Sequence, residues 1–176
     1  MPGYVPAACK RFKHEPPKRP QHQPHENAPI IYGAKKQYAA AADTSPPLSK
    51  EDKTWIQQVT GVFLFYARAI DSASLPALSS IASEQSNPTE NTMRKCKQLL
   101  DYYASQEEAI ITYSRSNMVL AIHSDASYLS EPNARSRAGG HFFMSNNDDV
   151  PPNNGAVDRK STRDRKSTRL NSSHRL

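Results

Sequence analysis

One acidic side chain ends the most strand-like segment of the sequence. Residues 118–125 read Met-Val-Leu-Ala-Ile-His-Ser-Asp, so the run is apolar through Ile122 and ends at Asp125. A carboxylate at the end of a buried strand is costly unless something pairs with it. Asp125 is therefore the first residue for which a functional partner must be sought.

A second candidate is a small basic surface on a predicted helix. Arg94, Lys95 and Lys97 lie opposite the apolar side of that helix, where they could contact a phosphate backbone. The same pattern is typical of the solvated side of any helix, which is the more common interpretation.

The histidines and cysteines do not have the spacing of a metal site. His22 and His25 lie among prolines, with no carboxylate or cysteine on a rigid element nearby, which is typical of solvated linker histidines. Cys9 and Cys96 are far apart and form no Cys-x-x-Cys motif. We therefore expect free thiols, a reducing compartment and no cysteine-bound metal.

Three helices are predicted in the centre of the chain. Apolar side chains recur at three- and four-residue spacing over residues 50–70, and Gly61 is the weak point of this helix. A shorter helix is predicted over residues 75–84, and either Thr89 or Asn91 caps a third.

Strands are predicted after the helices, which indicates an α+β fold. Runs rich in β-branched and aromatic residues favour strands over residues 109–114, 118–125 and 140–145. Near the N-terminus, residues 1–12 predict a short helix, and the prolines of residues 13–29 predict an extended linker.

The last nineteen residues, 158–176, contain Asp-Arg-Lys-Ser-Thr-Arg twice in succession, followed by Leu-Asn-Ser-Ser-His. Six residues without an apolar member cannot bury a face against a neighbouring repeat. The segment resembles a translated synthetic sequencing adapter, which predicts a non-native, disordered tail.

The tail holds seven basic and two acidic residues, whereas residues 1–157 hold 16 basic and 15 acidic ones. The net charge of +6 is thus no indication of nucleic-acid binding.

Residues 123–144 read His-Ser-Asp-Ala-Ser-Tyr-Leu-Ser-Glu-Pro-Asn-Ala-Arg-Ser-Arg-Ala-Gly-Gly-His-Phe-Phe-Met. This string resembles the opening of the ribonuclease H domain of copia-type LTR retrotransposon polyproteins. In that family a strand ends in Ser-Asp-Ala, and a basic turn with serine and glycine leads into an aromatic second strand. Upstream, residues 59–66, 86–89 and 97–102 resemble the helical connection between polymerase and nuclease.

The opening Pro-Gly-Tyr-Val with Phe12 resembles the last part of the reverse transcriptase, so the resemblance covers residues 1–157. It implies a helical connection and an incomplete ribonuclease H-like sheet, with a disordered proline-rich N-terminal part and a disordered C-terminal tail. The implied regions are residues 1–12 (end of the reverse transcriptase), 13–48 (proline-rich linker), 49–105 (helical connection), 109–157 (truncated ribonuclease H-like region) and 158–176 (adapter-like tail).

Asp125 matches the first catalytic carboxylate of that family. The intact parent hydrolyses the RNA strand of RNA–DNA hybrids with two Mg²⁺ ions, which several carboxylates must hold. Asp125 alone offers too little charge for Mg²⁺, and Glu131 is too near it in sequence to replace the missing glutamate. The family's remaining acids should follow a third strand, where the adapter-like tail stands instead.

Polymerase activity is not expected either, because the sequence has no Tyr-x-Asp-Asp motif. Asp148 and Asp149 precede two prolines and are interpreted as part of a polar loop. The leading hypothesis is therefore an inactive fragment of a reverse transcriptase/ribonuclease H polyprotein that needs no cofactor itself.

Two alternatives stay open. The helical part could be a non-enzymatic module that binds nucleic acid or a protein partner, or the whole chain could be a structural or regulatory host protein. The chain does not open with a charged segment and an apolar stretch, and no apolar run reaches the about 20 residues that a bilayer requires. We therefore expect a soluble intracellular product without a membrane partner.

Overall fold

The computed structural model describes residues 1–26, 43–106, 108–131 and 135–163 of the 176-residue chain. It confirms the α+β class, since helices precede an antiparallel sheet. The elements are α1 (Tyr4–Arg11), α2 (Lys50–Ala69), a 3-10 turn (Ser72–Ser74), α3 (Leu75–Glu84), α4 (Glu90–Ser105), β1 (Val119–Glu131), β2 (Arg135–Ser145) and β3 (Ala156–Arg163). Within this part of the chain, no helix combines the length and apolar character that a membrane span requires.

The helices form where spacing and capping residues predict them. The Ser49 hydroxyl caps α2 by accepting a hydrogen bond from the Asp52 amide at 3.1 Å, and the helix ends at Ala69 with Ile70 as its C-cap. Thr89, and not Asn91, caps α4. Helix α3 has the bounds that the sequence predicts.

One apolar core joins the four helices. The short helix α1 contributes to it, which explains why so brief a helix is stable. The fully buried core side chains of the three longer helices are Ile56, Val59, Phe63, Ala67, Leu78, Cys96, Leu99 and Leu100.

The three strands form an antiparallel sheet in the order β1-β2-β3. Both β1 and β2 extend further than predicted, and β1 continues six residues past Asp125 to Glu131. Phe143 of β2 is fully buried on the face that packs against the helices. On the opposite face Leu120 and Ile122 are 56% and 51% exposed, so this face is not covered by the described residues.

The strand predicted over residues 109–114 is wrong. These residues form no strand, and their polar groups bond to a loop instead of a neighbouring strand: the Ser114 amide donates to Asn154 Oδ1 at 2.7 Å. The side chain of Ile110 is 88% exposed. Local β propensity is overridden here by the hydrogen bonds that Ser114 makes with Asn154 in the loop before β3.

The start of the adapter-like tail is ordered, which differs from the disordered tail that its composition predicts. Residues 158–163 belong to β3, in which Arg159 lies opposite His141 and Ser161 opposite Gly139. Pairing with the free edge of β2 gives these polar residues backbone hydrogen bonds that composition alone does not reveal. Residues 164–176 lie outside the described part of the chain.

The proline-rich linker lacks regular secondary structure over residues 13–26, as predicted. It is nevertheless held against α4: the His14 ring bonds to the Asp101 carboxylate at 2.9 Å, and the Gln21 amide donates to Ser105 Oγ at 3.0 Å. Residues 27–42 of the predicted linker lie outside the described residues.

Candidate functional site beside Asp125

Asp125 lies within β1 and not at the end of a strand. It is paired with Gly139 of β2, its side chain is exposed, and its Oδ1 accepts a hydrogen bond from the Ala126 amide at 2.8 Å. The desolvation cost expected for a buried carboxylate therefore does not apply.

Asp125 lines a cleft of about 350 Å³ between the sheet and the start of α3. Strand alternation places its side chain on the helix-facing side of the sheet, together with residues of β2 and β3 in register with it. The lining residues are Ser72, Leu75, Pro76, Asp125, Ser127, Arg137, Gly139, Gly140, His141, Arg159, Lys160 and Ser161.

The charged neighbours of Asp125 in this cleft are cations. Arg137 donates from Nη1 to Ser161 Oγ at 3.3 Å, and Arg159 donates from Nη1 to the Ile70 carbonyl at 2.6 Å. Lys160 borders the cleft through its backbone only, since its side chain lies over the Phe142 ring on the opposite face of the sheet, 5.7 Å from the ring centroid. Two arginine side chains and one carboxylate therefore line the cleft.

This set of donors does not fit Mg²⁺. The described residues contain no cluster of three or more His, Cys, Asp or Glu side chains that could hold a metal ion. Asp148 and Asp149 are exposed in the loop after β2 and do not line the cleft. Glu131 ends β1, but its side chain lies outside the described residues. Asp125 thus has cationic side chains as neighbours where a two-metal site needs further carboxylates.

The predicted basic surface on α4 is largely neutralised within the chain. Arg94 forms an ion pair with Glu26 of the linker, and Lys95 forms one with Glu84 of α3 at 2.7 Å. Lys97 is exposed and lines a groove of about 540 Å³ between α4 and the linker. Arg94 lines the same groove, but its charge is paired with Glu26, and Lys95 is paired with Glu84, so the three basic residues do not form one unpaired cationic surface.

Both cysteines are free thiols buried in the helical core. Burial raises the pKa of Cys96 to about 12 and also raises that of Cys9. A thiol of this kind is a poor nucleophile and a poor metal ligand. In the linker, His25 bonds to a neighbouring backbone carbonyl at 3.0 Å, and no metal-binding group involves His22 or His25 among the described residues.

Sequence reasoning missed most of the cleft. Arg137, His141 and Arg159 share its helix-facing side with Asp125, but this depends on the strand register. The alternation of β2 could have placed Arg137 and His141 on one face. Nothing in the sequence indicates that Arg159 joins them.

No protein-family model matches this chain, and comparisons with curated proteins and with solved structures find no significant similarity. A functional assignment therefore rests on the residues and the geometry of the chain itself.

Proposed function

We propose that residues 1–157 derive from a copia-type retrotransposon polyprotein and that the chain has no enzymatic activity by itself. The segment spans the end of the reverse transcriptase, the helical connection and the start of the ribonuclease H domain. In the intact parent these regions serve RNA-directed DNA synthesis and the Mg²⁺-dependent hydrolysis of RNA in RNA–DNA hybrids.

The observation that carries this proposal is the position of Asp125. It lies in the first strand of an antiparallel sheet, and a segment with basic, serine and glycine residues leads into a second strand that contains Phe142 and Phe143. A helical segment precedes the sheet, in the order that the resemblance implies.

The absence of activity follows from the surroundings of Asp125. A two-metal mechanism requires several carboxylates to hold two Mg²⁺ ions about 3.5 to 4 Å apart across the scissile phosphate. In the described residues Asp125 lines one cleft with the side chains of Arg137 and Arg159, and no second carboxylate lines that cleft. Positive side chains at this position oppose the binding of a divalent cation.

The location that fits this proposal is intracellular. Cys9 and Cys96 are buried, free and in different parts of the core, which suits a reducing compartment.

Incubation of the full chain with an RNA–DNA hybrid and Mg²⁺ tests the lack of activity. We expect no hydrolysis above background, and the Asp125→Asn variant should be indistinguishable from the unchanged protein. Hydrolysis that is present in the unchanged chain and lost in Asp125→Asn would show that a working site is assembled, and the proposal of inactivity would then fail.

Resequencing of the genomic locus across the codon for Val157 tests the origin of the chain. A downstream reading frame that encodes a helix-borne glutamate and further aspartates would support derivation from the polyprotein. Recovery of both Asp-Arg-Lys-Ser-Thr-Arg copies from genomic DNA would contradict the adapter interpretation of residues 158–176.

The alternative function, a helical module that binds nucleic acid, would depend on Arg94, Lys95 and Lys97. The ion pairs of Arg94 and Lys95 weaken it, because each must be broken before the side chain can contact a phosphate. Binding that falls steeply with salt and is lost in Lys97→Ala, but not in Lys50→Ala, would favour this alternative.

A further inference from the structure

The solvent side of α4 holds the proline-rich linker through one line of side chains. Residues three and four positions apart lie above one another on a helix, so Arg94, Gln98, Asp101 and Ser105 form a single row, which we call the polar stripe of α4. Every member of the polar stripe contacts the linker. The contacts are Arg94 with Glu26, Gln98 with Gln23, Asp101 with His14, and Ser105 with Gln21.

Part of this contact is made with the main chain of the linker. The Gln21 amide donates to Ser105 Oγ at 3.0 Å, and the Gln21 carbonyl accepts from Gln106 Nε2 at 2.9 Å. The Gln23 carbonyl accepts from Gln98 Nε2 at 3.3 Å. An extended proline-rich segment has these groups free, because it forms no internal hydrogen bonds. The polar stripe therefore recognises an extended backbone, which other chains can also present.

Arg94 adds recognition of charge at one end of the bound segment. Its two terminal nitrogens each lie against one oxygen of the Glu26 carboxylate, and Nη2 also donates to Asn91 Oδ1 at 2.7 Å. The contact with Asn91 orients the guanidinium, whose planar donors match two carboxylate oxygens at once. A carboxylate at this position of the bound segment is thus favoured, and a positive charge is opposed.

The linker leaves part of this surface unfilled. A groove of about 540 Å³ runs beside Gln21 and is lined by Leu48, Met93 and Lys97. Leu48 and Met93 are half-buried, and none of the ion pairs within the described residues involves Lys97. A peptide with an apolar side chain and a second carboxylate would gain contacts here that the linker does not make.

We propose that the polar stripe of α4 is a docking site for an extended, proline-rich peptide with an acidic residue, and that the chain's own linker occupies this site as an internal competitor. Segments of this kind bind well because they are already extended and lose little entropy on docking. A peptide is favoured over a nucleic acid, because Asp101 places a negative charge within the stripe that would repel phosphates.

This inference is independent of the proposed origin of the chain. All contacts of the site join residues between His14 and Gln106, so neither Asp125 nor the adapter-like tail takes part. Loss of nuclease chemistry and binding of a peptide are separate properties, and each can fail without the other.

Fluorescence anisotropy of the full chain with a labelled peptide of residues 13–26 tests the proposal. The unchanged chain should bind this peptide weakly, because its own linker is held at a high effective concentration. Gln21→Pro removes the N–H that the linker donates to Ser105, so the labelled peptide, which keeps its glutamine, should bind about fivefold more tightly.

Glu26→Lys releases the linker in a second way, by opposing Arg94, and should also strengthen binding of the labelled peptide several-fold. Glu26 is exposed and lies outside the helical core, so this variant should fold as the unchanged chain does. The proposal is wrong if neither linker variant binds the peptide more tightly than the unchanged chain.

Substitutions in the polar stripe locate the bound peptide. In the Gln21→Pro background, Gln98→Ala should weaken binding several-fold, because one hydrogen bond to the peptide is lost. Gln57→Ala removes an exposed glutamine of α2 and is the matched control, which should leave the affinity unchanged. Equal affinities of the Gln98→Ala and Gln57→Ala variants would contradict docking on the stripe.

A charge exchange tests the contact with Arg94. In the same background, Arg94→Glu should weaken binding of the labelled peptide several-fold, and a peptide that carries Glu26→Lys should bind this variant better than the original peptide does. A preference for the original peptide would overturn the assigned orientation. Competition by an oligonucleotide at lower concentrations than by unlabelled peptide would assign the stripe to nucleic acid and overturn the proposal as a whole.

Discussion

The phenol of Tyr103 donates a hydrogen bond to Ser74 Oγ at 2.5 Å, and both side chains are at most 3% exposed. The Ser74 hydroxyl in turn donates a hydrogen bond to the Asp71 carbonyl at 2.8 Å. The Tyr103 ring also stacks on Phe63, with centroids 4.3 Å apart. These contacts tie α4 to the turn that begins α3 and forms one wall of the cleft beside Asp125.

Tyr103→Phe should lower the free energy of unfolding by about 1 kcal/mol, because it removes one buried hydrogen bond while keeping the stacked ring. The midpoint of urea unfolding should fall without a change in its slope. Tyr113→Phe is the control: its hydroxyl donates to the Ala156 carbonyl at 3.0 Å, but the side chain is exposed, so the loss should be smaller. Equal losses in the two variants would contradict the role assigned to burial.

The folded chain should lose stability at alkaline pH because of Tyr103 and the tyrosines around it. Burial, aided by nearby Asp71, raises the pKa of Tyr102 to about 12, and burial also raises the pKa values of Tyr66 and Tyr103. Unfolded tyrosines titrate near about 10, so between these values the folded chain holds protons that the unfolded chain has lost. Their contribution to stability is complete below pH 10 and is lost as the pH rises toward 12.

Urea unfolding at a series of alkaline pH values measures this loss. The free energy of unfolding should fall above pH 10 in the unchanged chain, and less steeply in Tyr102→Phe, which removes one of the coupled groups. A slope that is the same in both proteins would show that Tyr102 is not responsible.

The helices could be predicted from the sequence because their signals are local. Apolar spacing and capping residues both act within a few residues of the chain. The predicted cap of α2 at Ser49 and the predicted bounds of α3 therefore agree with the structure. The capping choice between Thr89 and Asn91 needed the structure, because both residue types can cap a helix.

The sheet and the candidate site depend on contacts between distant residues. The ion pair between Arg94 and Glu26 joins residues that are 68 positions apart in the sequence. The hydrogen bond from Arg159 to the Ile70 carbonyl joins residues that are 89 positions apart. Asp125 stands out in the sequence because it ends an apolar run and matches the family resemblance, whereas its arginine neighbours depend on the register of three strands. Short-range patterns cannot specify register in polar strands.

Two glycines should respond oppositely to alanine. Gly61 is exposed in α2, and a Cβ there would meet no atom within 4 Å, so Gly61→Ala should stabilise the chain by about 0.5 to 1 kcal/mol. At Gly155 a Cβ would lie 2.7 Å from the Tyr113 ring and 2.8 Å from the Thr112 carbonyl, so Gly155→Ala should destabilise it. Thermal unfolding of both variants tests this, and a stable Gly155→Ala would show that residues 112–113 do not pack as described.

The outer face of the sheet predicts self-association. Leu120 and Ile122 are more than half exposed on that face, and β1 is an edge strand that pairs with β2 alone among the described residues. Its free N–H and C=O groups can pair with another chain, and the apolar side chains beside them favour such contacts. We therefore expect the average mass of the protein in solution to rise with concentration.

Ile122→Lys tests this expectation, because a charge at the centre of the patch opposes both apolar contact and edge pairing. In sedimentation velocity at increasing concentrations, the variant should remain closer to a monomer than the unchanged chain. Val150→Lys places the same charge on an 84% exposed loop residue away from the strands, so it should not reduce self-association. If both lysine variants reduce association equally, net charge is responsible and not the edge of β1, since charge anywhere on the surface opposes aggregation.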